Sequence, residues 1–246
     1  MTIPITEKRI PRLTSGISLT AARLAIAAVI TYQCLLAALI FIRPELDPSW
    51  HTISEWALGR YGWIMVLAFL ISAVSYGSLF IAIRSQVGGT AGLIGLGILL
   101  ICTIGTVGVG VFPTDPMPLT AQKGLTTTGV LHVLFGSSAA VLLPLAALLI
   151  NLNLARKNPA WSTVRRPLLW TAALPLFGFL GSLVHLSIFV IPLGEGAYGP
   201  GVPLGWPPRI VFLTYMVWSI TLAWQAIKVK RQGHSDVSAV HFKAAA

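Results

Sequence analysis

Few side chains in this sequence could do chemistry, and they are unevenly placed. Phe112-Pro113-Thr114-Asp115 leaves one long apolar run, and Gly129 and His132 enter the next. A carboxylate and an imidazole therefore stand where an apolar chain has least reason to keep either. His51 and Glu55 lie four apart in the polar stretch after the first apolar run, His185 lies near the end of the fifth, and Arg209 begins the last. Three chemistries suit these residue types. His132, His185 and Asp115 are donors that can hold Zn²⁺ and activate water, as in a membrane-embedded hydrolase, although no short zinc-binding spacing joins them. His132 and His185, at matched depth in neighbouring spans, suit axial haem ligation and electron transfer. Arg209 with Glu55 or Asp115, edged by Trp and Tyr, suits a lipid headgroup or another amphipathic guest. Each residue also has a plainer role. An intramembrane histidine can simply hydrogen-bond a neighbouring helix, Asp115 can cap a turn, and Glu55 can pair with Arg60.

The elements that position them follow from composition. Of 246 residues, 55% are apolar and only 10% charged, where a soluble domain carries roughly a quarter charged residues. Runs of about 20 apolar residues without strand-like alternation predict transmembrane helices, because lipid leaves backbone groups no water to bond. Six such spans are expected, near residues 18–42, 62–83, 92–112, 126–152, 167–191 and 209–227, with Pro175 kinking the fifth. Residues 1–17 form an N-terminal segment, 18–228 the membrane domain, and 229–246 a disordered basic tail. The first apolar run is too long for a signal-peptide core and is read as a retained helix. Asp47-Pro48 opens a short interfacial helix that ends at Gly59, with His51 and Glu55 on one face and Trp50, Trp56, Tyr61 and Trp63 at headgroup depth. Gly92, Gly95, Gly105 and Gly108 mark the third span as a helix that neighbours approach closely. Cys34 and Cys102 both fall inside apolar runs, as buried thiols and not a disulfide.

Charge sets an orientation. With both ends on one side, that side holds Lys8, Arg9, Arg12, Arg84, Arg156, Lys157, Arg165, Arg166, Lys228, Lys230, Arg231 and Lys243; the other holds Arg43, Arg60, Lys123 and Arg209. The positive-inside rule then makes both termini cytoplasmic. Glu45, Asp47, Glu55, Asp115 and Glu195 fall on the outer side, which becomes acidic and histidine-bearing. The net charge of +10 reflects basic loops beside an anionic leaflet, with no nucleic-acid motif beside it. His132 lies about 10 Å inside the outer end of its span, and His185 at similar depth. His132 shares a face with Gly136 and Ala140, and His185 with Gly178, Gly181 and Ser182. Small faces pack against helices, so both rings should point into the bundle.

Several of these residues fall in segments that resemble one known family. Ile53-Ser54-Glu55-Trp56-Ala57-Leu58-Gly59, Val109-Gly110-Val111-Phe112-Pro113-Thr114-Asp115, Gly129-Val130-Leu131-His132, and Gly205 through Arg209 with Trp218 resemble motifs of the bacterial and archaeal membrane family filed as domain of unknown function 998. The resemblance spans about residues 18–228. It implies a membrane protein of six or seven helices and points at Glu55, Asp115, His132 and Arg209, but it carries no activity; His51 and His185 rest on placement alone.

The sequence therefore predicts an all-α, six-helix protein of a prokaryotic cytoplasmic membrane. Its expected feature is an outward-facing polar pocket of His51, Glu55, Asp115, His132, His185 and Arg209. Membrane lipid is the expected partner, a protein partner within the membrane is an alternative, and nucleic acid is not expected. A hydrolase, a haem protein and an accessory subunit are the competing readings. A complete transporter is disfavoured, since no repeat of broken helices is evident. Sequence alone assigns neither a cofactor nor an enzymatic activity.

Overall fold

A computed structural model describes residues 16–118, 124–194 and 196–244, with side-chain surroundings as far as residue 233. Most of the N-terminal segment 1–17, with Glu7, Lys8, Arg9 and Arg12, therefore lies outside the described residues, as do Lys123 and Glu195 and the side chains of His234, Asp236, His241 and Lys243.

The chain is all helical among the described residues. Its main helices are α1 (Leu19–Ile42), α2 (Gly62–Ile83), α3 (Gly89–Val111), α4 (Thr127–Lys157), α5 (Arg165–His185) and α6 (Trp206–Ala244). Among the described residues six helices are long and apolar enough to cross a membrane, the fifth as the run Pro159–Leu193 and the sixth as Trp206–Gly233. This is a multi-pass membrane architecture. Starts follow the capping chemistry: Ser18 accepts from the Ala21 amide and Thr126 from the Gly129 amide, each filling an orphan donor of a first turn. The α5 backbone changes hydrogen-bond register after His185, through a π segment (Leu186–Val190) and a 3₁₀ turn (Ile191–Leu193).

Neighbours in sequence pack as neighbours in space, and α6 closes the ring against α1. The tightest seam joins α3 to α4. A Cβ at Gly92, Gly95, Gly105 or Gly108 would run into Asn153, Leu149, Ser138 or Phe135 of α4, so the glycine face of α3 is spent on one partner helix. At the end of the bundle opposite His132, a buried amide network locks the helices. Asn151 donates to the Leu168 carbonyl at 2.8 Å and accepts from the Trp218 indole at 3.2 Å. Asn153 exchanges hydrogen bonds with the backbone of Gly88.

Four expectations change. The helix expected from Pro48 to Gly59 is a set of turns and a single 3₁₀ turn, Ser54–Ala57. Asp47 caps a tight turn at the Ser49 amide (2.8 Å), and its carbonyl takes the His51 amide, so the chain reverses before a helix can propagate. His51 and Glu55 consequently share no helix face. Trp56 is fully buried within the protein and has no exposed face, whereas Trp63 is exposed. Cys102 is buried but Cys34 is exposed on the outside of α1, and no disulfide forms. Finally, the expected tail is helical backbone as far as Ala244; it contains no proline, so nothing in it stops α6.

Candidate functional site

The motif end of the bundle is built around α4. Asp115, in the loop after α3, accepts from the Thr126 amide (2.9 Å, Oδ2) and the Thr126 hydroxyl (2.7 Å, Oδ1). Thr126 in turn takes the Gly129 amide at 3.1 Å. The carboxylate thus sits over the N-terminus of α4, where negative charge is favoured. A Cβ at Gly129 would overlap Asp115, which explains the glycine: the carboxylate needs that space. One turn further on, His132 is buried and both ring nitrogens are engaged. Nδ1 lies 2.8 Å from the Phe112 carbonyl and Nε2 lies 2.8 Å from Ser54 Oγ. A carbonyl only accepts, so Nδ1 carries the proton, and in the neutral ring Nε2 accepts from the Ser54 hydroxyl. His132 therefore ties the last turn of α3 to the 3₁₀ turn after α1.

Beneath this clasp lies a cavity of about 340 Å³. His132, Asp115 and Ser54 line its roof; Tyr32, Ser72, Tyr76, Thr106 and Tyr215 add hydroxyls from four helices; Phe69, Val109 and Phe212 are apolar wall. No α5 residue lines it. Three of its lining residues, Leu125, Val133 and Ser137, are exposed, so it opens on the flank of α4. The hydroxyl lining was missed at the level of sequence. The available signal was Ser72 and Tyr76, four apart on an otherwise apolar span and so on one face.

The other candidates lie beside this cavity and not in it. Glu55 is buried; its carboxylate accepts from the Thr52 amide at 2.6 Å and from the Tyr198 hydroxyl. Burial, together with the Glu55 carboxylate, holds the Tyr198 phenol well above its ordinary pKa. With His51 and Tyr198, Glu55 lines a separate outer hollow. His51 stacks on Trp50 at 3.5 Å between centroids, and its Nδ1 donates to the Asp47 carbonyl at 3.1 Å. Arg60 lies over the Tyr61 ring and does not pair with Glu55, whereas Arg43 pairs with Glu45 and donates to the Leu58 carbonyl.

Arg209 takes neither of the carboxylates proposed for it. Its Nη1 donates to the carbonyls of Gly205 (2.7 Å), His51 (3.0 Å) and Pro48 (3.3 Å), and its Cζ lies 4.5 Å from the centre of the Trp56 ring. Gly205 is forced by the same packing: its amide donates to Ser49 at 2.9 Å, and a Cβ there would enter the Pro48 carbonyl. His185 does not point into the bundle. It is half-buried, its Nε2 donates to the Pro203 carbonyl at 2.9 Å, and it contacts Phe189. Its small-residue face is only partly used: Gly178 meets Thr214, but Gly181 faces open space.

This geometry removes the support for His132 and His185 as a ligand pair, because each Nε2 is already committed. Among the described residues no three His, Cys, Asp or Glu side chains gather closely enough to share a metal ion. What the arrangement offers instead is an apolar, hydroxyl-lined chamber under a hydrogen-bonded roof. The segments forming that roof lie within a stretch, residues 25–225, that matches the family described as protein of unknown function (DUF998). The chain belongs to that family. Within it, the motif residues acquire physical roles: Asp115 caps α4 over Gly129, His132 staples three segments, Gly205 admits a neighbouring backbone, and Trp218 bonds Asn151. No curated protein and no solved structure matches the chain.

Proposed function

We propose that this protein is a membrane-embedded binding protein that takes the polar head of an amphipathic, lipid-like ligand into the cavity under His132 through the flank of α4. One observation carries the reading: a cavity of about 340 Å³ with a few convergent hydroxyls among apolar walls, open on the exposed flank of α4. That mixture of apolar wall and sparse polar groups is what ligand sites in helical bundles offer. A head carrying hydroxyl or carbonyl groups would find donors and acceptors there, while its chain stays outside against Val133 and the neighbouring apolar surface. The unequal distribution of Lys and Arg supports an orientation in which the cavity faces the outer leaflet of a cytoplasmic membrane.

The test is native mass spectrometry of the full chain released from its own membrane in mild detergent. Wild type should carry a specific lipid-like adduct. Ser137→Trp, which closes the opening from the exposed side of α4, should lose it while keeping its thermal transition. An adduct retained at the same occupancy in Ser137→Trp would overturn the reading.

A further inference from the structure

Arg209 has hydrogen-bonding capacity that the cavity does not use. The side chain is only 7% exposed, yet its Nε and Nη2 have no acceptor. Nor is its charge paired: among the described residues no carboxylate lies within ion-pair distance. Glu55 and Tyr32 are its nearest counter-charges but neither reaches it with a hydrogen bond; the Glu55 carboxylate is turned to Thr52 and Tyr198, and the guanidinium lies against the Trp56 ring. A second unspent donor lies across from it, the Nε2 of Gln33 on α1. Gln33 and Arg209 line a groove of about 210 Å³ between α1 and α6, whose remaining walls include Leu36, Ile40, Ile210 and Leu213. Unpartnered donors at membrane depth are expensive, and an unpaired cation more so. A partner that is anionic, carries several acceptor oxygens and tolerates an apolar trench would satisfy them.

We infer that the α1–α6 groove binds the phosphodiester of an anionic phospholipid, with Arg209 and Gln33 donating to its oxygens and one acyl chain lying along the apolar wall. Neither set of nitrogens is exposed, so the headgroup must part the side chains at the groove mouth, where Trp206 is half exposed. The site is independent of the cavity, which opens on α4 and shares no lining residue with the groove.

Delipidated full-length protein should be titrated with dioleoylphosphatidylglycerol, dioleoylphosphatidylcholine and inorganic phosphate, with adducts read by native mass spectrometry. Wild type should bind the phosphatidylglycerol in preference to the zwitterionic lipid, and excess inorganic phosphate should not displace it. Arg209→Gln should weaken binding about tenfold, the worth of one charge-assisted hydrogen bond. Arg209 also braces three carbonyls, so two gentler variants protect the test. Gln33→Leu removes an amide whose nitrogen has no acceptor, and Ala37→Trp fills the trench from its exposed side; both should weaken binding several-fold with the thermal transition retained. Unchanged phosphatidylglycerol binding in both would overturn the inference. Equal binding of the two lipids would also overturn it, as would displacement by inorganic phosphate, which would make the site one for free anion. Ser137→Trp should leave this adduct intact, so a failure here is separable from a failure of the cavity reading.

Discussion

Replacing Gly129 by alanine tests whether Asp115 and the first turn of α4 act as one unit. The new methyl would overlap the Asp115 carboxylate, so either the helix shifts or the carboxylate turns away. Turning away is the cheaper response, and its cost is limited to the bonds it breaks, those to the Thr126 amide and hydroxyl. Hydrogen bonds to a charged acceptor at a half-exposed helix start are together worth about 2 kcal/mol. Alanine returns up to about 1 kcal/mol through helix propensity. The net loss for Gly129→Ala is then about 1–2 kcal/mol. In an Asp115→Ala background the clash is gone and the same substitution should become neutral or stabilising. The coupling between the two positions is therefore about 2 kcal/mol, large for a pair of this kind. Thermal unfolding followed by tryptophan fluorescence in one fixed detergent, on the four members of the cycle, measures it. If Gly129→Ala lowers the transition equally in both backgrounds, the carboxylate does not occupy that space and the account of the motif fails.

Four further outcomes follow from the same contacts. His132→Ala leaves the Phe112 carbonyl and the Ser54 hydroxyl without the ring they share, and should cost about 2–3 kcal/mol; His132→Gln, which can reach one of them, should recover part of the loss in the same melts. Asn151→Leu strands the Leu168 carbonyl and the Trp218 indole, both in the core, and should cost about 2–4 kcal/mol; an unshifted transition would contradict the network. Gly108→Ala pushes a methyl into the Phe135 ring, which stacks on Phe112, and should cost about 1–3 kcal/mol through overpacking, with a melt no different from wild type counting against the seam. Tyr198 gives a pH dependence. Its phenol is held above its ordinary value in the folded chain, so folding favours the protonated form; that contribution is complete below about pH 10, the unfolded value, and is lost progressively as pH rises from there toward the raised folded value. Wild type should lose more thermal stability than Tyr198→Phe between roughly pH 9.5 and 11, and equal losses would refute the assignment.

Sequence by itself determined the class of object. Hydropathy is a local property, so six spans and their approximate ends can be read residue by residue. The same locality makes the Asp115 to His132 segment conspicuous, since ionisable groups are costly inside an apolar chain. The distinction between spent and unspent polar groups was decided only by tertiary structure. His132 finds Ser54 across 78 positions, Tyr198 finds Glu55 across 143, and Arg209 finds the His51 carbonyl across 158. No spacing rule connects such pairs, because hydrogen bonds depend on where helices cross. The six residues that composition gathers into one pocket are accordingly sorted into a cavity roof, an outer hollow, a groove between α1 and α6 and, for His185, a loop anchor. Each has its own partners, and among the residues lining the groove, Arg209 and Gln33 keep buried donors without an acceptor.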